Sequence, residues 1–407
     1  MVRARRFVFG CLVMLTLGLF ATILGVRGYD ERKNLVAVDE VEGARALENA
    51  LVYKHTQLRV QWRPDPLQII AVGEGAKAAQ SARIAGLFPL RSTMQRSLFA
   101  SALPTGNPYF QAIPAFDLPQ VFIMVAGLLG IIASTDAISG AREEGTLALA
   151  LSYPVPRSRW LLGEICGSIT AIALPVTATV LIAAIAIGTR ADVTSAVGFR
   201  LLAIWLASIA VAMFFVLVGY LASIAARSSL TAVAWALAVW AFLNLGGPVV
   251  AGLVSRHQPL SSRSDKPASS MDLRDEASSR IELREQEVAT LSGLRLVLPT
   301  DLYREAVERL TGSDLGSLAL FLRFAEQRNR ALAEWQTRGI QASPERLDKY
   351  RFGADLPLPI GNLGDAGSFV SRASPLGRAQ IYLAMLICWD AFMLAAALLS
   401  FERHDPR

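Results

Sequence analysis

Residues 140–160 read GAREEGTLALALSYPVPRSRW, a compact charged interruption between two long apolar runs. Arg142, Glu143 and Glu144 open it, Gly145 and Thr146 follow, and a helix-forming apolar run extends from Leu147 to Leu151. Pro154 and Pro156 then stop that helix, because proline has no N–H to donate and clashes with the preceding turn. Arg157 and Arg159 close the segment. A short helix and a proline elbow, flanked by charge, suit a chain lying against a membrane face with its charges toward water.

The runs on either side belong to a wider pattern. Of 407 residues, 53% are hydrophobic and 18% charged, whereas soluble domains carry about 25% charged residues. The apolar residues cluster in six blocks, over about 7–26, 118–134, 161–188, 200–226, 230–254 and 379–401. Such blocks suit helices crossing about 30 Å of hydrocarbon, where a closed helix satisfies its own backbone polar groups. Arg3, Arg5 and Arg6 precede the first block, as in a signal peptide. Its apolar core is too long for one, and no small-x-small cleavage site follows, so an uncleaved span is expected. The expected fold class is an all-α membrane protein: six transmembrane helices with a mainly helical extracytoplasmic region. Pro175 and the Gly246-Gly247-Pro248 step should bend or break their spans. The block 161–188 is longer than a span needs, which places its first turn, with Glu164, at the interface.

Arginines in short loops orient the bundle. Six crossings put both termini on one side, together with Arg3, Arg5, Arg6, Arg142, Arg157, Arg159, Arg227 and Arg403. The short loop opposite, TRADVTSAVGF, holds Arg190, with Arg200 opening the next span. The termini are therefore expected in the cytoplasm of a multi-pass inner (plasma) membrane protein. The chain divides into a cytoplasmic N-terminus and first span (1–26), an extracytoplasmic segment (27–117), spans two to five (118–254), a second extracytoplasmic segment (255–378), and the sixth span with a short tail (379–407). The first insertion contains the amphipathic DEVEGARALENALVYKHTQLRVQW. The second starts with the Ser-rich PLSSRSDKPASSMDL and continues into two helical patterns, RDEASSRIELREQEVATL and then 298–340. A Thr311-Gly312-Ser313-Asp314 break in the latter reads as a helix stop and a new N-cap.

Several chemistries are absent from the pattern. The net charge is +6, but the arginines form no basic face interleaved with aromatics, so no nucleic-acid partner is expected. Cys11, Cys166 and Cys388 all fall in apolar runs and read as packing residues; His55, His257 and His404 have no metal-ligand spacing. No catalytic or metal residue is singled out. GEGAK, residues 73–77, is the nearest approach to a phosphate loop, with the wrong spacing and no strand before it. The chain is thus expected to be no enzyme and to bind no cofactor itself.

The segment TDAISGAREEGTLALALSYPVPRSRWLLGE resembles the coupling segment of type-two ABC transporter permeases. That family has an acidic run, Gly-Thr-Leu, a short helix, a Pro-Val-x-Arg elbow and a Leu-Leu-Gly-Lys exit. Glu143, Glu144, Gly145, Thr146 and Leu147 match the core; Pro154, Val155, Pro156 and Arg157 the elbow; Leu162 and Gly163 the exit. Ala141 stands where the family often has Glu, and Glu164 where it usually has Lys. The large insertions are similar to those of permeases related to gliding-motility and copper-enzyme-maturation exporters, and WRPDPLQIIAVGEG resembles their external regions. The resemblance implies a permease subunit of an ATP-driven exporter. Segment 136–160 would dock a separate ABC ATPase, which carries the ATP and Mg, chiefly through Arg142, Glu143, Glu144, Gly145, Thr146, Leu147, Pro154 and Arg157. It also implies a second permease copy or a related permease, membrane lipid around the spans, and room for a periplasmic partner.

Other readings compete. The segment could be an ordinary elbow whose glutamates favour a helix dipole. The whole chain could be a receptor with an external helical sensor, although only ERHDPR follows the last span, or a membrane enzyme, although no interfacial polar cluster supports that. Asp390, mid-span in LICWDAFML, is costly in lipid by about 2.5–3.5 kcal/mol. It is expected to hydrogen-bond a neighbour such as Asn244, Thr177 or Thr179, to pair with a charge on another chain, or, with Asn244, to line a path or interface.

Overall fold

The computed structural model describes residues 2–48, 58–73, 75–76, 81–84, 116–152, 154–191, 194–246, 298–342 and 375–403. The helical pattern RDEASSRIELREQEVATL, the Ser-rich stretch before it and the Gly247-Pro248 step lie outside the described residues. Five helices are long and apolar enough to cross a membrane. They are α1 (Val2–Glu48), α2 (Leu118–Glu143), α4 (Arg157–Gly188), α5 (Ser195–Ala225) and α9 (Pro375–Arg403). The short α3 (Thr146–Leu151) joins α2 to α4. The block expected as the fifth crossing is α6 (Ser229–Ala241), which continues as a π turn over Phe242–Gly246. Its apolar part, Ser229–Asn244, is shorter than a full span, so the described residues show five full-length crossings and a shorter sixth apolar helix. The second insertion supplies two further described helices, α7 (Pro299–Leu310), which packs against α5 and α9, and α8 (Leu315–Ala342).

Helix starts follow local chemistry. Asp117 caps α2 by accepting from the Gln120 N–H at 3.1 Å, with Pro119 in the first turn. Ser228 and Thr231 form a reciprocal capping box on α6. Pro156, Pro299 and Pro375 stand at the starts of α4, α7 and α9. Pro175 lies inside an unbroken α4, and Thr179 Oγ1 bonds its carbonyl at 2.8 Å.

Three further features depart from the sequence reading. The first span does not end as a helix near Val26: α1 runs on to Glu48. Residues 27–48 are rich in Glu, Arg and Ala and contain no proline, so polarity changes at the membrane boundary while the backbone has no reason to. A small antiparallel ribbon pairs β1 (Leu58–Gln61) with β2 (Ser81–Ile84), Leu58 opposite Ile84. Cys166 and Cys388 are exposed on the outside of the bundle rather than packed.

The core centres on α5. Ile204, Val211, Phe215, Leu217, Tyr220 and Ile224 are buried along its length, and α2, α4, α6, α7 and α9 pack around it. The outward faces keep large apolar side chains, such as Leu174, Leu230 and Phe392, as lipid contact requires. The α2–α5 contact is so close that a Cβ on Gly219 would stand 1.9 Å from Ser134 Oγ. Small residues permit such backbone approach, which drives packing where apolar burial gains nothing over lipid.

The side opposite α3, the insertion side, has its own packing. Gly73 donates to Ser313 Oγ at 2.9 Å, and Ala76 N–H donates to the Ser313 carbonyl at 3.2 Å. A Cβ on Gly75 would meet the Asp314 carbonyl at 2.1 Å. The glycines of GEGAK thus let one strap of chain lie against the Thr311–Asp314 turn. That turn ends α7, as its Thr-Gly-Ser-Asp sequence suggests, with Gly312 in the left-handed region (φ 63°). Trp62 stacks on Phe321 at 5.4 Å, and Arg378 at the start of α9 pairs with the fully buried Asp314 at 3.3 Å. Tyr303 of α7 is fully buried and bonds Ser208 of α5 at 2.9 Å; burial pushes its phenol above the ordinary value, so it stays protonated.

Two glycines of α1 separate packing from propensity. A Cβ on Gly25 would lie 2.0 Å from the Ile69 carbonyl oxygen, whereas one on Gly28 meets nothing within 4 Å. Gly25→Ala should lower thermal stability in detergent, with an overpacking cost of about 1–3 kcal/mol. Gly28→Ala should hold it or raise it by up to about 1 kcal/mol. Equal melting temperatures for the two variants would contradict this packing.

Candidate functional site: the elbow between α2 and α4

The elbow is built in three steps. Glu144 closes α2, its N–H reaching the Gly140 carbonyl at 3.0 Å. Gly145 then takes φ 70° with open space around it, so it serves the reversal itself and not a packing need. Thr146 Oγ1 returns to the Ala141 carbonyl at 3.2 Å, and α3 runs one and a half turns before Ser152 N–H closes it on Leu149 O at 3.2 Å. Pro156 is extended (ψ 138°) and starts α4.

The short helix is two-faced. Leu147 is 2% exposed and belongs to the main core, while Leu149 is 66% and Val155 48% exposed. Glu144, Thr146, Pro154 and Arg157 are exposed as well. Ala141 is half-buried against the core, so a glutamate there would press its carboxylate into apolar surroundings. Leu162 is half-buried, and Gly163 and Glu164 are exposed.

Arg142 and Glu143 have internal work. The Arg142 guanidinium donates to the Ala226 carbonyl at 2.9 Å, capping the end of α5. Glu143 accepts the Ser229 N–H at 3.0 Å, at the start of α6. A carboxylate there is favoured by the helix dipole, by about 0.3–1 kcal/mol. Ser229 also donates its hydroxyl to Asp136. Deeper, Ser223 Oγ accepts the N–H groups of Ile138 and Ser139 at 3.1 and 2.9 Å. The elbow is therefore bolted to the α5–α6 turn, and its exposed residues are those left on the outer side of α3 and the proline bend. Trp160 stacks on Phe401 at 5.8 Å, which ties the exit to the end of α9.

Asp390 and Asn244 are not joined. Asp390 is 5% exposed on the inward stripe of α9 with Tyr382 and Leu386, and its Oδ1 has no hydrogen-bond partner among the described residues. Asn244 donates to Trp240 O at 2.8 Å; Thr177 bonds Ala173 O at 2.7 Å and receives Trp205 at 2.9 Å; Thr179 bonds Pro175 O. All three neighbours expected for Asp390 are thus engaged elsewhere.

One residue escaped the sequence reading. Arg200, counted there as a topology charge, is 7% exposed; it pairs with Asp65 at 2.9 Å and donates to the Leu310 carbonyl at 3.2 Å. The Asp65 carboxylate keeps about a quarter of its surface in reach of water, so the pair is part-buried, with the arginine as its buried member. The only sequence signal was Asp65 between two prolines in RPDPL. Among the described residues, no three His, Cys, Asp or Glu side chains are grouped to hold a metal.

The two faces of α3 predict opposite responses. Leu147→Ala should destabilise by about 2–5 kcal/mol through the cavity it leaves, while Leu149→Ala should stay within about 0.5 kcal/mol of wild type. Thermal unfolding of both variants checks this. Asp390→Leu should raise the melting temperature, since an unmet buried polar atom costs about 1–3 kcal/mol. A lower melting temperature would mean that a partner outside this chain satisfies the carboxyl.

No curated protein matches the chain. The family model described as "ABC-2 family transporter protein" matches residues 1–406. A multi-pass helical bundle interrupted by an elbow of this sequence agrees with that match, and the chain belongs to the ABC-2 family of transporter proteins, as a permease.

Proposed function

We propose that this permease is the membrane half of an ATP-driven exporter and that a separate ATPase subunit docks on the elbow. The observation that carries the reading is the anchored, two-faced α3. Leu147 fixes the helix to the core while Leu149 and Val155 face outward. A short helix held this firmly can pass a partner's motion into the bundle instead of absorbing it. Arg142 and Glu143 serve from behind by locking the elbow to the α5–α6 turn; Glu144, Gly145, Thr146, Pro154 and Arg157 form the exposed rim with α3.

The excess of arginines on the elbow side supports a cytoplasmic elbow, with both termini on that side of an inner membrane. The insertions then lie outside, where a periplasmic partner or polypeptide could meet them. ATP and Mg belong to the partner. A transport path between two bundles calls for a second permease, identical or similar, against two ATPases.

Leu149→Asp and Val155→Asp place a charge on the docking face without touching the core. Each should release the co-expressed ATPase while leaving the permease's melting temperature unchanged. Retention of the ATPase at wild-type level in both would refute docking at this face. Native mass measurement of the intact complex should give two permeases and two ATPases; a stable, active complex with one permease would contradict the paired arrangement.

A further inference from the structure

The elbow and the insertions lie at opposite ends of the bundle, yet both are fastened to α5. At the elbow end the fastening is made by Ser223 Oγ, which accepts the two α2 backbone N–H groups, and by Arg142 on the Ala226 carbonyl at 2.9 Å. At the far end it is made by Arg200, whose guanidinium holds Asp65 at 2.9 Å and the Leu310 carbonyl at 3.2 Å. Asp65 caps the Pro66–Ile69 turn of the first insertion, and Leu310 ends α7 of the second. One side chain thus grips both insertions. Between the two ends, α5 is an unbroken helix of 31 residues without proline, about 46 Å long. It is buried on nearly every turn and held at mid-length by Ser208 on Tyr303. A helix packed along its length against α2, α4, α6, α7 and α9 moves as a body, because close-packed interiors transmit displacement instead of absorbing it.

We propose that Arg200 is a positioning residue of the transport cycle: it delivers the nucleotide-driven movement of the elbow to the insertions, with α5 acting as one rigid lever. This rests on the reading that an ATPase docks on the elbow. Arg200 touches no nucleotide; it acts through the two insertions it clamps. Both contacts leave one nitrogen, Nη1, so a single NH2 group holds the carboxylate of the first insertion and the carbonyl of the second side by side.

The test uses the full permease–ATPase complex, with Cys11, Cys166 and Cys388 replaced by alanine. Nitroxides are placed at Leu181 on α4 and Glu334 on α8, both well exposed. Distances are compared between the nucleotide-free and the ATP–vanadate-trapped states. The parent complex should show a resolvable shift. Arg200→Gln should abolish it with the ATPase still bound and still trapping nucleotide, and Arg200→Lys should restore part of it. Asp65→Asn, which disturbs one arm of the same clamp, should reduce it if the glutamine variant does not fold. Arg190→Gln, at the exposed pair with Asp30, should leave it intact. An unchanged shift in Arg200→Gln, or in Asp65→Asn where that variant stands in, would overturn the lever, and so would its absence from the parent complex. Failure of the ATPase to bind the parent permease would instead sink the docking reading, and the lever with it.

Discussion

The structure depends on the close approach of α2 to α5. Gly219 and Ser134 bring the two backbones together, and Ser223 Oγ then reaches the N–H groups of Ile138 and Ser139. In lipid no hydrophobic gain drives helices together, so such contacts and hydrogen bonds carry the association. Fixing α2 against α5 fixes the direction in which the elbow leaves the bundle. It also brings Arg142 to the Ala226 carbonyl and Glu143 to the start of α6. The charged opening of the elbow is thus shared between structure and surface, with α3 left as the face available to a partner.

On the insertion side the constraint is different. The described pieces there hold together through a strap packed on a glycine turn, an aromatic stack, and ion pairs at Asp65 and Asp314. Each pair joins an insertion to the outer end of a spanning helix, Arg200 on α5 and Arg378 on α9. These two arginines thus join the described residues of the insertions to the bundle.

Much of this was legible because it is set by local composition. Apolar blocks separated by prolines, glycines and charge announce crossings, and the Thr311–Asp314 stop ends α7 as its residues suggest. The continuation of α1 to Glu48 was not legible, since hydropathy marks the membrane surface and says nothing of where a helix ends. The ribbon of Leu58–Gln61 with Ser81–Ile84 joins segments twenty residues apart in a pairing that neither strand signals alone. At the elbow, the identities of the residues could be read but not their division of labour: Leu147 and Leu149 look alike in sequence and face opposite ways. Arg200 was hidden because its partners lie 135 and 110 positions away. Asp390 was visible as an anomaly, yet its assumed partners bond within their own helices or to Trp205.

The central claim is that the exposed face of α3 and the proline bend receives the ATPase. It is tested most directly by photo-crosslinking in native membranes. A photoreactive residue is placed at Leu149, at Val155 and, as a control, at Ile387, which is 63% exposed on a spanning helix. The account predicts ATPase adducts from positions 149 and 155 and none from 387. Absence of adducts at both elbow positions, with the ATPase present and active in the same membranes, would contradict it.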